Sequence, residues 1–363
     1  MKRLRIGILT HIKHPIRQPF SGGLEAFTYD VTMALKERGH DVTLFASSHS
    51  APELEHTSIL SDDNYGPLGL DTRGKKEAYF REYLDEHLAY MQCMQGMDAH
   101  RFDVVFNNSL HYVPITMGGL IETPMLTVLH TPPFFELTNA FAALRPKAAQ
   151  RICTVSHANA DRWSALVGEC DVIHNGIDLS SWAPNAMPKG QRAIWFGRIV
   201  PDKGLHHAID AAKLAGVPLD FAGQANDEAY FRDQIAPRLD DNAVYLGHLG
   251  REALVKRVQH AAVCVVSPCW DEPFGLVVAE ALACGTPVAA YRRGALAELL
   301  TPETGVLAKP DDIAALARAI QEARTLDRTA CRRHAEIHWG RETMLDNYER
   351  LLHETAVGGA VHV

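Results

Sequence analysis

Short apolar runs alternate with stretches of helical periodicity along almost all of the 363-residue chain. In the first half, Arg5–Thr10, Asp41–Ala46, Asp103–Phe106, Met125–His130, Ile152–Ser156 and Asp171–Asn175 read as strands. Between the first two, Phe27, Val31, Ala34 and Leu35 recur at helical spacing, and Gly39 marks the stop. Ser61–Gly74 is the least regular stretch. It leads into a helix from about Lys75 to Met97, with Tyr79, Phe80 and Tyr83 near its start. Two prolines and a glycine in Trp182–Gly190 read as an interdomain linker. The pattern then restarts with strands Arg192–Arg198, Leu219–Ala222, Ala243–Leu246, Ala262–Val266 and Val288–Tyr291, and a helix from Gly204. Trp339–Leu352 reads as an amphipathic helix carrying Leu345, Tyr348, Leu351 and Leu352, and Val357–Val363 as a loose tail. This alternation is the signature of parallel βα units. It predicts two Rossmann-like α/β domains, 1–183 and 184–339, facing each other across a cleft.

Composition narrows the partners. The chain is 47% hydrophobic and 22% charged, as expected of a folded globular protein. Its formal charge of −8 disfavours nucleic acid, and residues 1–183 hold 16 Lys and Arg against 21 Asp and Glu, which disfavours a basic membrane-docking face. The basic start M-K-R-L-R-I-G-I-L-T has an apolar run too short for a signal peptide, and no segment approaches a membrane span. The seven cysteines (93, 153, 170, 264, 269, 284 and 331) show no C-x-x-C pair, and their odd count suits a reducing compartment. A cytoplasmic protein is expected.

The candidate chemistry centres on Ser267–Glu280, S-P-C-W-D-E-P-F-G-L-V-V-A-E. Glu272 and Glu280 flank a Pro-Phe-Gly turn where a strand hands over to a helix. Open α/β sheets bind ligands at strand carboxyl ends, and helix starts favour phosphate. Amides of Phe274, Gly275 and Leu276 can meet a phosphate while the two carboxylates take hydroxyls on either side, the shape of a sugar nucleotide. The run resembles the glutamate-x7-glutamate signature of family 4 retaining glycosyltransferases of the GT-B fold. The resemblance implies that Glu272 lies beside the donor sugar and Glu280 binds the ribose. It also implies that the last helix, from about 340 to 363, crosses back to the N-terminal domain. G-R-I-V-P-D-K-G resembles the family's G-R-x-x-x-x-K-G motif, whose Arg and Lys, here Arg198 and Lys203, hold the diphosphate; Gly197 and Gly204 let the backbone approach closely.

Further residues follow from position and resemblance. Gly22 and Gly23 precede a helix beginning near Glu25 and can bring amides to the cleft. His130 ends a strand, T-V-L-H-T-P-P-F, at the place where the family has a histidine beneath the donor sugar. His111 and Asn108, in F-N-N-S-L-H-Y, are acceptor-side candidates, and Gly247 resembles the loop whose backbone reads the base. Asn175-Gly176-Ile177-Asp178 resembles the family's N-G-[IV]-D loop and reads as a structural turn. Tyr79, Phe80 and Tyr83 read as packing residues that could also wall an acceptor. His206 and His207 have no ligand partner at metal spacing and read as surface. Asp62-Asp63, Asp240-Asp241 and Asp311-Asp312 read as turns or caps, so no cofactor and no metal are expected.

The reading is a retaining, metal-independent hexosyltransferase. Its sugar donor would be a UDP-glucose-like sugar nucleotide, with GDP-mannose the next guess. The acceptor would be a soluble small molecule or saccharide. Alternatives are a sugar-nucleotide epimerase of the same fold and a non-catalytic sugar-nucleotide sensor. A nicotinamide dehydrogenase is disfavoured because no G-x-G-x-x-G follows the first strand.

Overall fold

The computed structural model describes residues 2–18, 20–62, 75–143, 150–185 and 190–358, without the side chains of 75–81. Most of Ser61–Gly74, residues 186–189 of the linker stretch, the side chains of Tyr79 and Phe80, and residues 359–363 of the tail lie outside the described residues. The chain divides into two compact units. Unit 1 comprises Met1–Val155, Ala160–Ile173 and Leu345–Val363; unit 2 comprises Ser156–Asn159 and His174–Met344.

Unit 1 holds a seven-stranded parallel sheet of β1 (Arg5–Thr10), β2 (Asp41–Ser47), β3 (Thr57–Leu60), β4 (Val104–Asn108), β5 (Met125–Leu129), β6 (Gln150–Thr154) and β7 (Asp171–Val172), in the order β3-β2-β1-β4-β5-β6-β7. Its central strands are apolar on both faces because helices cover both. β4 and β5 are buried throughout. The sequence pattern did not predict β3, an edge strand whose T-S-I-L buries only its last residue. The C-terminal helix Arg341–Gly358 contributes all but its first turn to this unit. Tyr348 packs edge-on to Phe27 at 5.5 Å, and Arg38 and Arg151 pair with Glu349 and Glu354 at 2.8 Å each.

Unit 2 holds six parallel strands, β8 (Ala193–Phe196), β9 (Leu219–Ala222), β10 (Ala243–Tyr245), β11 (Val263–Val266), β12 (Val288–Tyr291) and β13 (Gly305–Ala308), in the order β10-β9-β8-β11-β12-β13. β13 was not predicted either. Its G-V-L-A is short, and a Cβ on Gly305 would stand 2.6 Å from the Val288 carbonyl oxygen of the neighbouring strand. Helices Leu205–Ala215 and Ile313–Ala323 bury Leu205, Ala208, Ile209, Leu316 and Ile320 against Trp195, Phe221 and Tyr291 of the sheet. All seven cysteines are free, and among the described residues no helix is long and apolar enough to cross a membrane.

Strand order reverses direction between β1 and β4 in unit 1 and between β8 and β11 in unit 2. Such a switch point leaves a crevice beyond the strands' carboxyl ends, because the two connections leave in opposite directions. Most candidate residues of each unit follow the strands at its switch point, with His130 after the neighbouring β5 and Gly247 after β10.

Candidate active site

In unit 2 the loop after β8 carries Gly197, Arg198, Lys203 and Gly204, and the loop after β11 carries Ser267–Gly275. The two loops are strapped together. Cys269 N–H donates to the Asp202 carbonyl at 2.8 Å, and Ser267 Oγ donates to the Gly204 carbonyl at 2.9 Å. Gly204 has φ +64°, and a Cβ there would lie 1.9 Å from the Ser267 carbonyl oxygen, so only glycine permits the approach. The straps bring Lys203 Nζ to 2.7 and 3.0 Å from the two Glu272 carboxylate oxygens. Trp270 Nε1 donates to the same carboxylate at 3.0 Å, and its ring lies 5.0 Å from the ammonium. Such charge-assisted hydrogen bonds contribute roughly 1.5–3 kcal/mol each. The backbone of Glu272 is held as well. Its carbonyl accepts from Ala295 N–H at 2.9 Å, and Gly294, at φ +51°, packs so closely that a Cβ would sit 2.2 Å from that oxygen.

Gly275 adopts φ +104° and precedes helix Leu276–Ala283 with no side chain capping the helix start. The first amides of this helix therefore lack intrahelical partners, which is the requirement for receiving a phosphate. Phe274, offered for its amide, buries its ring near His174 at 5.7 Å. One turn into the helix, Glu280 keeps some exposed surface, but burial of its carboxyl raises the pKa to about 8. No protein hydrogen bond to that carboxyl occurs among the described residues. Arg198 is exposed and makes no ion pair among the described residues. Gly197, Gly223 and Gly247 end β8, β9 and β10 in sequence: Gly223 N–H donates to the Gly247 carbonyl at 3.0 Å, and a Cβ on Gly223 would stand 1.7 Å from the Gly197 oxygen. The three turns thus stack as bare backbone.

In unit 1 the helix Gly23–Glu37 follows Gly22, and no side chain caps its start. A Cβ on Gly22 would come 3.0 Å from Glu25 Oε2. Glu25 itself is buried and lies 3.4 Å from His11 Nδ1. Its burial pulls the pKa upward, but the neighbouring His11 imidazole outweighs that and holds the carboxyl below its ordinary value. The composition of the loop gave no warning of this pair. The only signal was a histidine directly after β1 and an acid in the first turn of the next helix.

His130 follows β5, and its Nε2 lies 2.8 Å from Asn108 Oδ1 at the end of β4. With the amide oxygen accepting, the imidazole carries its proton on Nε2 and keeps Nδ1 as an acceptor. Burial pushes its pKa down to about 3, so it is neutral at physiological pH. His111 caps helix Tyr112–Met117 by accepting from Val113 N–H at 3.2 Å through Nδ1, which leaves the proton on Nε2, buried without a partner among the described residues. Burial, with lesser repulsion from His87, takes its pKa to about 3. Leu110 between them has φ +52°, a strained conformation for a branched side chain.

His111 lines a cavity of about 320 Å³ in unit 1, with His11, Lys13, Glu86, Ser109 and Tyr83 among its other walls. Tyr83, expected chiefly to pack, is a cavity wall, 38% exposed and stacked on Tyr112 at 6.1 Å. His206 and His207, expected at the surface without a ligand partner, are half-buried and meet Cys269. Asp178, Asp240 and Asp312 do serve as turn and cap acceptors, taking Ser180, Asn242 and Ala315 N–H respectively.

Comparisons with known proteins bear on what these loops belong to. The "Glycosyltransferase Family 4" profile matches residues 21–181, and "Glycosyl transferases group 1" matches 180–336. A glycogen synthase of Mycobacterium tuberculosis is 31% identical, over 83% of this chain and 82% of its own. The chain is a family 4 glycosyltransferase. A D-inositol 3-phosphate glycosyltransferase of Mycolicibacterium smegmatis is 26% identical over 96% of this chain and 91% of its own. Among solved structures, sucrose-phosphate synthase of Thermosynechococcus elongatus superposes with a TM-score of 0.75 at 21% identity, covering 96% of this chain and 98% of that one. HepE of Anabaena, solved with UDP and glucose, gives 0.73 at 19% identity, covering 97% and 100%. At those identities the likeness establishes the GT-B fold, and the family 4 membership rests on the sequence relatives.

Proposed function

We propose that this glycosyltransferase moves a hexose, with retention, from a nucleotide diphosphate sugar to an acceptor hydroxyl, and that a UDP-glucose-like sugar is the first donor to test, ahead of GDP-mannose. The observation that carries the reading is the Lys203–Glu272 pair held beside the uncapped start of helix Leu276–Ala283. The diphosphate would take Arg198, Lys203 and the amides of Gly275 and Leu276. Fixed cations there stabilise charge developing on the leaving nucleotide, the type of electrostatic contribution that dominates such transfers. They can serve in place of a divalent ion, so transfer would proceed without metal. Displaced from Lys203, Glu272 would accept hydroxyls of the sugar. Glu280, protonated when empty, would bind the ribose hydroxyls, and the bare turns at Gly197 and Gly247 leave room for nucleotide backbone contacts. In unit 1, His130 offers a neutral imidazole to the sugar, with Gly22 and Gly23 presenting amides. His111 and Asn108 belong to the acceptor side. HepE, with its UDP and glucose, motivates the choice of sugar donor.

The test is nucleotide release from a panel of sugar nucleotides without acceptor, in wild type, Lys203→Ala and Glu272→Ala. Slow hydrolysis of one sugar nucleotide, lost in both variants, supports the reading and names the sugar donor. Hydrolysis that persists in both would remove these residues from the chemistry. Tight binding that never leads to turnover, with or without an acceptor panel, would favour a sensor.

A further inference from the structure

Beside the donor loops, and outside any role assigned above, three ligand-bearing side chains converge. His206 and His207 open the helix Leu205–Ala215, and Cys269 comes from the loop after β11, more than sixty residues away in sequence. One ligand atom from each lies within 4.8 Å of the other two, and Cys269 Sγ is 3.8 Å from His207 Nδ1. We infer that His206, His207 and Cys269 form a binding site for a borderline-soft divalent cation, Zn²⁺ before others.

The dimensions suit it. With Zn–S near 2.3 Å and Zn–N near 2.0–2.1 Å, a tetrahedral centre sets its sulfur and nitrogen ligands about 3.5 Å apart. The Cys269–His207 pair needs only a small contraction from 3.8 Å, and the His206 atom, within 4.8 Å of both, must close by up to about 1.3 Å. A thiolate and two imidazoles also form a donor set that selects zinc over magnesium or calcium, which prefer oxygen. Tyr230 Oη lies 2.7 Å from His206 Nδ1, so it can receive that ring's other N–H once Nε2 is given to a metal, the usual orienting contact of a ligating histidine. The thiol must lose its proton, which passes to solvent as the Zn–S bond forms. Two other groups of His and Glu stand equally close among the described residues, but there a carboxylate already pairs with an imidazole, His174 with Glu298 at 2.7 Å and His40 with Glu349 at 3.2 Å.

Place gives the site a consequence. His206 stands three positions after Lys203, and Cys269 three before Glu272. A bound ion would add a coordinate clamp to the hydrogen-bonded straps between those two loops.

The experiment is a Co²⁺ titration of the metal-free, reduced full chain, read by absorbance, followed by Zn²⁺ displacement. One Co²⁺ per chain is expected, with an intense near-ultraviolet thiolate-to-metal band and visible bands of tetrahedral cobalt, both erased by Zn²⁺. Cys269→Ser should lose the ultraviolet band, and His207→Ala should weaken binding about 100-fold or more. A wild type with no thiolate band overturns the site. So does a band of equal strength in Cys269→Ser, because the partly exposed Cys93 and Cys170 would then be responsible. No sugar nucleotide enters the titration, so its failure leaves the transferase reading standing, and failure of that reading leaves the titration valid.

Discussion

At the carboxyl ends of β8 and β11 the central acid is already partnered: Lys203 and Trp270 converge on Glu272, and two backbone straps fix the loops that carry them, with Arg198 left exposed beside them. At the carboxyl ends of β1 and β4, by contrast, His111 Nε2 is buried without a partner among the described residues, Leu110 is strained, and a cavity of about 320 Å³ remains open. Both regions sit on the same kind of switch point. The difference teaches that one holds a preorganised charge arrangement, suited to a constant chemical group. The other keeps unspent polar capacity, suited to a substrate that differs from one family member to another.

The largest blow to the contrast should come from Lys203→Ala, with nucleotide release falling on the order of 10²–10³-fold, the range for removing one donor of an oxyanion site. Quenched-flow or coupled assays of nucleotide release would measure it, and a fall below tenfold would mean the loops of unit 2 are less decisive than their geometry. Next is Gly294→Ala, which adds a Cβ 2.2 Å from the Glu272 carbonyl oxygen. Turnover should drop by about 10²-fold with the circular dichroism spectrum intact, since a misplacement near 1 Å costs that much. Tyr83→Ala should act on the other region, raising the acceptor KM roughly tenfold by loss of a stacking wall, with the KM for the sugar donor held. A reversed pattern would exchange the roles assigned to the two regions.

The smallest effects are on stability, and they run in opposite directions with pH. Glu280 has a folded pKa near 8, above the ordinary 4.5, so the unfolded chain ionises first as pH rises. Stability is therefore lost between those values, by at most about 1.4 kcal/mol per pH unit. Glu280→Gln should gain melting temperature relative to wild type as pH climbs from 4.5 to 8. His130 has a folded pKa near 3, below the ordinary 6.5, so the unfolded chain takes its proton first as pH falls. His130→Gln should gain relative to wild type on acidification below about 6.5. Scanning calorimetry across pH 4.5–8 reads both, and parallel rather than opposed trends would show that burial does not govern these groups.

Legibility in the sequence followed the same division. Glu272, Glu280 and the Pro-Phe-Gly turn lie within nine residues, so one strand-to-helix passage announces them. The strands Leu219–Ala222 and Val288–Tyr291 were readable to the residue because both lie inside the sheet and are largely buried, with Asp220 the one charged interruption. β3 and β13 were not, being edge or short strands whose pairing comes from the sheet rather than from their own residues. The His11–Glu25 pair, the wall at Tyr83 and the meeting of Cys269 with His206 and His207 join segments that only folding brings together, and each residue alone has a commoner fate at the surface or in the core. Trp270 lay inside the quoted motif, yet nothing in a one-dimensional pattern says which way an indole points.

The Lys203–Glu272 pair carries one last implication, for ligands that the site must refuse. A small anion such as inorganic phosphate could attract Lys203 only by parting it from Glu272, and it brings no polyol long enough to reach the carboxylate so released, which would keep only its bond from Trp270. A complete sugar nucleotide offers both at once, an anion for the amine and a polyol for the acid. The two side chains would then work as a counterweight, keeping the crevice closed to simple phosphates and yielding only to a molecule that addresses both.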